Sequence, residues 1–422
     1  MPDNVHIITY GCSNNIAESR IMENLLLDAG FVISDYAKAD LIIVNSCSVK
    51  SVTENRIIHK LREMEKEKKI VIAGCMPEAE YDVLREAAPS AALLSTHHID
   101  EVASVAKATL QGEYVEVLGK ARLDKSIMTR QRANKVVDII PISSGCRSFC
   151  SFCSTKIAKG DLFSFPEENI IESMKKSVAE GTKEFWITSQ DNGCYGFDRG
   201  SDISKLIFRI LGEVEGDYRM RIGMMNPEHL KRYLSDMVEA YRDGRVFRFI
   251  HLPVQSGSDA VLKNMRRRYT AEEFVSTIKT IRESIPDVTI WTDMICGFPE
   301  ESQEDFDASM RLLRELKFDF SNVSAFGNRP LTAAAKMRQV PTEVKKFRTR
   351  EMSALVEETS LNANKKWIGW SGPVLVDEYN ASKNTWIGRN FAYKPVVLSG
   401  DFNLGDEVSV KIKDVTTNSL FA

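Results

Sequence analysis

The 422-residue sequence predicts an α/β chain built in three parts. These are an N-terminal parallel α/β domain, a central partial (β/α)6 barrel, and a small all-β barrel at the C-terminus. Three observations lead there. Short β-branched runs alternate with helical patterns over the first 117 residues, and three of those runs end in a cysteine. The alternation resumes after residue 136, where strand patterns are followed by polar loops. From Lys365 the composition shifts to short β runs separated by glycine turns. The boundaries follow as 1–117, a basic linker 118–135, the barrel 136–335, a basic and helical linker 336–364, and the β domain 365–422.

A hydrophobic share of 43% beside 27% charged residues supports packed cores in a soluble chain. Met1 to Tyr10 lacks the basic region and apolar run of a signal peptide, and no window approaches about eighteen uncharged apolar residues. The expectation is a cytoplasmic protein without a membrane span. Eight cysteines without an export signal then read as reduced thiols that bind metal, not as disulfides. With a formal net charge of −3, any nucleic-acid partner must be drawn by local basic patches.

In the N-terminal part, His6 to Tyr10 runs into Gly11-Cys12, Asp40 to Val44 into Asn45-Ser46-Cys47, and Lys69 to Ala73 into Gly74-Cys75. Each run is of the buried-strand type. Between them, Ile16 to Ala29 puts Ile21, Met22, Leu25 and Leu26 on one helical face, with Gly30 at C′. Val49 to Lys68 repeats the pattern with Ile57, Ile58, Leu61 and Met64. Strand, helix, strand, helix, strand implies a parallel sheet with right-handed crossovers. Parallel strands end on one edge, where ligands bind. Cys12, Cys47 and Cys75 therefore converge on one crevice, where they can hold an iron–sulfur cluster with three ligands and an open position. The alternative is that cysteines, often buried, simply fill space under loops.

From Gly119 to Lys135, six basic residues stand against Asp124 alone. Such a run is either a solvated linker or a contact to an RNA backbone, for which Arg130 and Arg132 are candidates. Next comes Gly145-Cys146-Arg147-Ser148-Phe149-Cys150-Ser151-Phe152-Cys153. A cubane cluster normally takes four thiolates, so three leave one iron open to a small chelating molecule. Zinc sites are the other reading of clustered cysteines, but they usually pair two Cys-x2-4-Cys knuckles and no second knuckle follows.

Beyond the motif, Glu184 to Thr188, Tyr218 to Ile222, Val246 to Ile250 and Val288 to Trp291 read as strands. Loops such as Ser189-Gln190-Asp191 and His251 to Ser258 follow them, on the face where β/α barrels carry their active sites. His251 reads as a hydrogen-bonded structural residue, and Cys194 and Cys296 as packing residues. Lys336 to Arg350 is basic and leads into a helix near Ala354 to Asn362. Gly372 to Asp377, Asn384 to Gly388, Tyr393 to Leu398 and Glu407 to Val415 are the strands of a small closed barrel. There Trp386, Arg389, Tyr393 and Lys394 could offer stacking faces and cations to RNA, or serve as core.

The Cys-x3-Cys-x2-Cys motif, with Phe152 before its last cysteine, resembles the signature of the radical S-adenosylmethionine (radical SAM) enzymes. Adding the Cys12, Cys47, Cys75 set and a C-terminal domain similar to TRAM, the whole chain resembles the methylthiotransferases of that family. Ser189-Gln190-Asp191, Met224-Met225-Asn226-Pro227, His251 to Ser258 and Trp386-Ile387-Gly388-Arg389-Asn390 resemble the archaeal and eukaryotic type, which acts on threonylcarbamoyladenosine at tRNA position 37. The resemblance implies two [4Fe-4S] clusters, with SAM on the open iron at Cys146, Cys150 and Cys153. Reductive cleavage of SAM would give a 5′-deoxyadenosyl radical, and the Cys12/Cys47/Cys75 cluster would hold sulfur. A first SAM donates methyl and a second is the radical source. SAM contacts are expected from the backbone at Phe152 and from Ser189, Gln190, Gln255 and Ser256, with Arg221 pairing the SAM carboxylate. No catalytic residue is expected beyond the cluster ligands. The implied partners are the tRNA anticodon loop, an electron-donor protein and a sulfur source, with the chain acting as a monomer. A ribosomal-protein or isopentenyladenosine methylthiotransferase, and an iron–sulfur scaffold or electron carrier, remain alternatives. The chain departs from the family at Lys159, Phe163, Cys194, Cys296 and Gly327-Asn328-Arg329-Pro330.

Overall fold

The computed structural model describes residues 3–49, 51–132 and 134–422, without the side chains of Ser51 and Val52. The N-terminal domain is a six-stranded parallel sheet in the order β2-β1-β3-β4-β5-β6. Its elements are β1 (Asn4–Thr9), α1 (Ser13–Asp28), β2 (Val32–Ile33), β3 (Leu41–Ser46), α2 (Ser51–Met64), β4 (Lys69–Gly74), α3 (Met76–Ala79), α4 (Tyr81–Ala87), β5 (Ala92–Ser95), α5 (Val102–Gln111) and β6 (Glu116–Val117). Alternate residues of β3 and β4 feed two cores. Leu41, Ile43 and Val71 pack beneath α1 and α5, while Ile42, Val44 and Ile72 pack against α2 and α4. Both faces are covered, which is why these strands read as continuous apolar runs.

The middle of the chain holds β7 (Val137–Pro141), β8 (Ser143–Ser144), α6 (Ser154–Lys159), β9 (Phe163–Ser164), α7 (Glu167–Ala179), β10 (Glu184–Thr188), α8 (Ile203–Glu213), β11 (Arg219–Ile222), α9 (Pro227–Leu230), α10 (Leu234–Ala240), β12 (Phe249–His251), α11 (Asp259–Asn264), α12 (Ala271–Ser284), β13 (Thr289–Cys296), α13 (Gln303–Leu316) and β14 (Phe320–Ala325). Two parallel sheets, β11-β10-β7 and β12-β13-β14, meet through the Met220–Val246 bridge. Six parallel strands thus form the partial barrel. Phe185, Ile187, Met220, Ile222 and Ile250 face the surrounding helices in the main core. The intervening side chains, including Glu184, Trp186, Arg221, Phe249, His251 and Trp291, face the lumen, because side chains alternate along a strand. The sequence reading did not assign β7 or β14 as strands.

The segment expected as a second linker is α14 (Thr342–Lys365), a 24-residue helix. Met352 and Val356 join the barrel core, and buried Arg348 pairs with Glu301 at 2.7 Å. It is therefore a structural layer of the barrel. The C-terminal domain comprises β15 (Ser371–Asn380), β16 (Thr385–Arg389), β17 (Pro395–Leu398), β18 (Glu407–Lys411), β19 (Asp414–Val415) and β20 (Leu420–Phe421). Its sheet order is β18-β15-β16-β17-β20-β19, so the sheet curls but leaves β18 and β19 at its two ends, and the expected barrel is open.

Burial corrects most of the expected RNA contacts. Arg130 donates to Asp138 at 3.1 and 3.3 Å and to Ser173 at 2.9 Å. Arg132 is held by Thr182 and Glu180. Lys394 is buried and donates to Asp319 at 2.8 Å and Asn364 at 2.9 Å, which ties the β domain to the barrel and α14. Tyr393 is buried against Phe247 and Phe249, and Arg389 pairs with Asp377 at 2.9 Å. These five side chains are engaged in internal contacts, and Tyr393 and Lys394 are buried. Trp386 differs: it packs at 4.6 Å on the exposed ring of Tyr379 at the β15–β16 hairpin.

The two arginines allow a test of burial. Arg130 and Asp138 are both almost fully buried, whereas Glu180, the partner of Arg132, is half-exposed. Arg130→Ala strands a buried carboxylate and should cost about 3–5 kcal/mol. Arg132→Ala should cost about 1 kcal/mol or less. Chemical denaturation of the two variants beside the parent checks the order.

Candidate active site

The strands β1, β3 and β4 deliver Cys12, Cys47 and Cys75 to one edge of the sheet, and polar side chains tie their ends together. Asn15 donates to Asn45 Oδ1 at 3.2 Å and to the Ser46 carbonyl at 3.0 Å. Asn45 donates in return to the Asn15 carbonyl at 2.8 Å. Ser46 Oγ donates to the Ala73 carbonyl at 2.6 Å and accepts from the Met76 amide, and the Cys75 amide donates to the Ser46 carbonyl. Gly11 has φ +112°, and a Cβ there would lie 2.8 Å from Cys47 Cβ and 2.9 Å from its Sγ. The residue before one cysteine thus makes room for the next. Burial pushes the Cys75 thiol up to about 12 and raises that of Cys47.

The Cys146–Cys153 loop is braced from below. Gly145 donates its amide to Gln190 Oε1 at 2.7 Å. Burial raises the Cys150 thiol and pushes that of Cys153 up to about 11. Half-buried Arg267 lies near both, and its guanidinium sits 5.7 Å from the ring of Phe152. A buried thiol left to itself stays protonated and inert, whereas a bound metal deprotonates its thiol ligands outright. Two sets of three thiols, with Cys47 and Cys75 buried and the other four more open, are a donor set that suits metal clusters. Among the described residues, one trio of ligand atoms lies within 4.8 Å of one another: Cys146 Sγ, the Asp191 carboxylate and Cys194 Sγ. Neither cysteine triad is that tight, although a single tetrahedral zinc at about 2.3 Å from sulfur would draw thiolates to about 3.8 Å.

Three contacts dock the triads on each other, and the sequence showed none of them. Ser154, next to Cys153, donates to the carbonyl of Ser48, next to Cys47, at 2.6 Å. Ser13, next to Cys12, shares a 2.7 Å hydrogen bond with Thr188 at the end of β10. Lys159 of α6 reaches Glu18 of α1 at 2.6 Å, and Lys125 of the first linker binds the same carboxylate. Thr96 also donates to Glu18, at 2.9 Å. Glu18 is fully buried. Burial works against its charge, but Lys125 and Lys159 override it and hold the carboxyl down at about 2. Burial pushes Lys125 down to about 8, while Lys159 stays raised by Glu18 and Cys75. A signal for this cluster existed: Glu18 precedes Ile21 and Met22 at helical spacing, so a charge lies on the buried face of α1.

The expected SAM contacts fall in different places. Ser189 Oγ is buried without a hydrogen-bond partner, an orphan that suits a polar ligand. Gln190 is already engaged with Gly145. Phe152 packs edge-on against Phe298 at 6.2 Å. Gln255 has φ +72° and lies beside β13 through its bridge to Met294. Ser256 is fully buried and bonded to Ser309 and Ser258, which directs it into the helix layer and not the lumen. Arg221 lies in the lumen between the rings of Trp186, Phe249 and Tyr393. Asp191 was overlooked as a side chain. One of its oxygens takes the amides of Gly193 and Asn226 at 2.9 Å each, and the other lies 3.7 Å from Cys146 Sγ and 3.5 Å from His229. Cys194 is more than packing in its placement, against Cys146 and Asp191, whereas Cys296 lies 3.5 Å from Met352 sulfur in the core. His251 is bonded to Asp293 at 2.9 Å.

Comparison with known proteins agrees with this geometry. The "Radical SAM superfamily" profile matches residues 140–313, "Uncharacterized protein family UPF0004" residues 4–95, and "TRAM domain" residues 372–422. A Pyrococcus abyssi protein named probable threonylcarbamoyladenosine tRNA methylthiotransferase is 36% identical over 99% of this chain and 98% of its own. An Archaeoglobus fulgidus protein of the same name is 38% identical over 99% and 97%. The Danio rerio threonylcarbamoyladenosine tRNA methylthiotransferase is 37% identical over 93% and 73%. The chain belongs to the radical SAM methylthiotransferase family. Membership of this family makes the chain an enzyme and implies a [4Fe-4S] cluster and SAM. Among solved structures, the radical SAM methyltransferase TsrM from Kitasatospora setae shares the fold, with a TM-score of 0.57 at 13% identity over 79% of this chain and 74% of its own.

The Glu18 cluster gives the methylthiotransferase a pH dependence of calculable sign. Its carboxyl is depressed from 4.5 to about 2 on folding, so its stabilisation is present above about pH 4.5 and is lost as pH falls towards 2. Glu18→Gln should flatten that limb of the stability profile. It should also cost about 3–5 kcal/mol at neutral pH, because two buried ammonium groups lose their counter-charge. Thermal unfolding of parent and variant between pH 2 and 7 measures both.

Proposed function

We propose that this enzyme methylthiolates C2 of N6-threonylcarbamoyladenosine at position 37 of tRNA, consuming one SAM as methyl donor and a second as radical source. The observation that carries the reading is the docking of the two cysteine triads across the Ser48–Ser154 and Ser13–Thr188 hydrogen bonds. The names of the full-length relatives support the nucleoside. Cys146, Cys150 and Cys153 would hold the cluster that binds SAM, and Cys12, Cys47 and Cys75 a second [4Fe-4S] cluster that carries sulfur. Bound there, the clusters supply the electron that cleaves SAM and an open iron for the sulfur.

The chain's own residues do the positioning. The adenine C2–H is unactivated, and no side-chain base could remove it as a proton. His251 is engaged with Asp293, which leaves it structural. Gln190 fixes the Cys146 loop through the Gly145 amide, Asp191 holds the neighbouring turn through the Gly193 and Asn226 amides, and the unpaired Ser189 hydroxyl is the polar contact most available to SAM. Outside the lumen, Trp386 and Tyr379 offer a stacking face to the RNA, worth roughly 1–3 kcal/mol per stacked base. An electron-donor protein and a sulfur source complete the partners, and the chain acts as a cytoplasmic monomer. Among the described residues no helix is long and apolar enough to cross a membrane.

Anaerobic reconstitution, followed by mass spectrometry of nucleosides from treated tRNA, tests the reading. The 2-methylthio derivative of threonylcarbamoyladenosine is expected; modification of a ribosomal protein instead would replace the substrate. Roughly eight irons should load per chain if both clusters are cubanes. Cys150→Ala should lose about half of them and form no 5′-deoxyadenosine. Cys47→Ala should also lose about half, yet still cleave SAM and give no methylthio product.

A further inference from the structure

Arg221 is an unpaired cation inside the partial barrel. Its guanidinium lies 4.7 Å from the ring of Trp186, 5.4 Å from that of Tyr393 and 5.9 Å from that of Phe249. Those three rings come from β10, from the C-terminal domain and from β12. Among the described residues no carboxylate lies within ion-pair distance of Arg221, and its Nε is buried without a partner. Arg130, Arg348 and Arg389 each take an aspartate or glutamate. The acids around the lumen have other partners: Glu184 accepts from the Trp186 indole at 2.5 Å through one oxygen, Asp377 is paired with Arg389, and Asp293 with His251 and Asn322. The second Glu184 oxygen is buried without a hydrogen bond, and the carboxylate acts on Arg221 only from beyond ion-pair distance. Burial next to Asp377 also pushes the Glu184 carboxyl up to about 7. The protein has stacked a guanidinium on aromatic walls and left its hydrogen-bonding fork without a partner, which is the arrangement that receives a planar anion.

Its depth selects the anion. Arg221 pairs in register with Trp186, and two residues further along the same face of β10 stands Thr188, bonded to Ser13 beside Cys12. Two strand residues span about 6.6 Å. Arg221 therefore lies one layer below the mouth at which the cysteine triads meet. In adenine, C2 and C6 flank N1, so a substituent on N6 and the hydrogen on C2 leave from the same edge. A group on N6 that reaches down the lumen leaves C2 at the mouth.

We propose that Arg221 is the specificity residue of the site, binding the threonyl carboxylate of the N6-threonylcarbamoyl group from the floor of the lumen. This rests on the substrate reading above. It also reassigns Arg221 from the SAM carboxylate, which is the other carboxylate within the same chemistry. Lysine would keep the charge but not the two-pronged geometry.

Binding to the reconstituted protein, without turnover, separates the possibilities. The probes are anticodon stem-loops carrying threonylcarbamoyladenosine, its methyl ester or plain adenosine, with SAM affinity read in parallel. The parent should prefer the free acid over the other two by at least about tenfold, since a site built to hydrogen-bond a group rejects analogues lacking it. Arg221→Gln should reduce that preference to near one while leaving the affinity for the adenosine stem-loop unchanged, which also shows that the variant is folded. Arg221→Lys should retain part of it. A preference that survives Arg221→Gln overturns the proposal alone, and if SAM affinity falls with it the carboxylate is that of SAM. A parent without any preference overturns the proposal together with the substrate reading.

Discussion

One carboxylate, that of Glu18, sets how the two halves of the molecule meet. Two ammonium groups and a threonine hydroxyl converge on it in a buried site. One ammonium comes from the first linker and the other from α6, the helix that follows Cys153. A buried ion group is poor as a source of net stability but strict about geometry, because each unpaired arrangement is heavily penalised. Glu18 therefore acts less as glue than as a registration pin. It fixes α6 on α1, and with α6 the loop of Cys146, Cys150 and Cys153 against the edge that bears the other triad. Two ammonium groups on one carboxylate also leave an excess positive charge beside Cys75, which favours an anionic occupant of that crevice.

The C-terminal domain does two jobs that its composition does not distinguish. Its exposed hairpin presents Trp386 and Tyr379, while the turn after β16 inserts Tyr393 among Phe247 and Phe249. Tyr393 has φ +60°, and Asn390 holds that turn by accepting from the amides of Ala392 and Lys394. One ring of the aromatic floor, that of Tyr393, is thus contributed by a domain far away in sequence. A small β domain that resembles an RNA reader also completes the chamber in which the chemistry takes place.

Much of this was legible in the sequence because local physics determined it. β1, β3 and β4 lie between two helical layers and so read as apolar runs, and their cysteines follow from the parallel edge. β7 and β14 escaped for the opposite reason. Asp138 in β7 serves Arg130 and Ser177, and β14 carries Ser321, Asn322 and Ser324, so neither looks like a buried strand. The basic residues misled in the same way. Lys125, Arg130, Arg132, Arg389 and Lys394 look like a solvated or RNA-facing charge until their partners, up to 107 residues away, are seen. No local pattern announces a partner at that distance. Arg221 is the reverse case: its strand was legible, but that no described carboxylate lies within ion-pair distance of it could be read only in three dimensions.

The crowding at Gly11 has an evolutionary consequence. A steric clash in a core is ordinarily escaped by a second, compensating change, since a larger residue is tolerated once its neighbour shrinks. At Gly11 the neighbour is Cys47, whose Cβ and Sγ a new side chain would meet. If Cys47 ligates a cluster as proposed, no smaller residue there would still bind iron, and the escape route is closed. Gly11 is thereby held by the chemistry of a residue 36 positions away rather than by that of the cysteine beside it. On that reading, a lesion there would disable the proposed ligand set with all six cysteines intact in the gene.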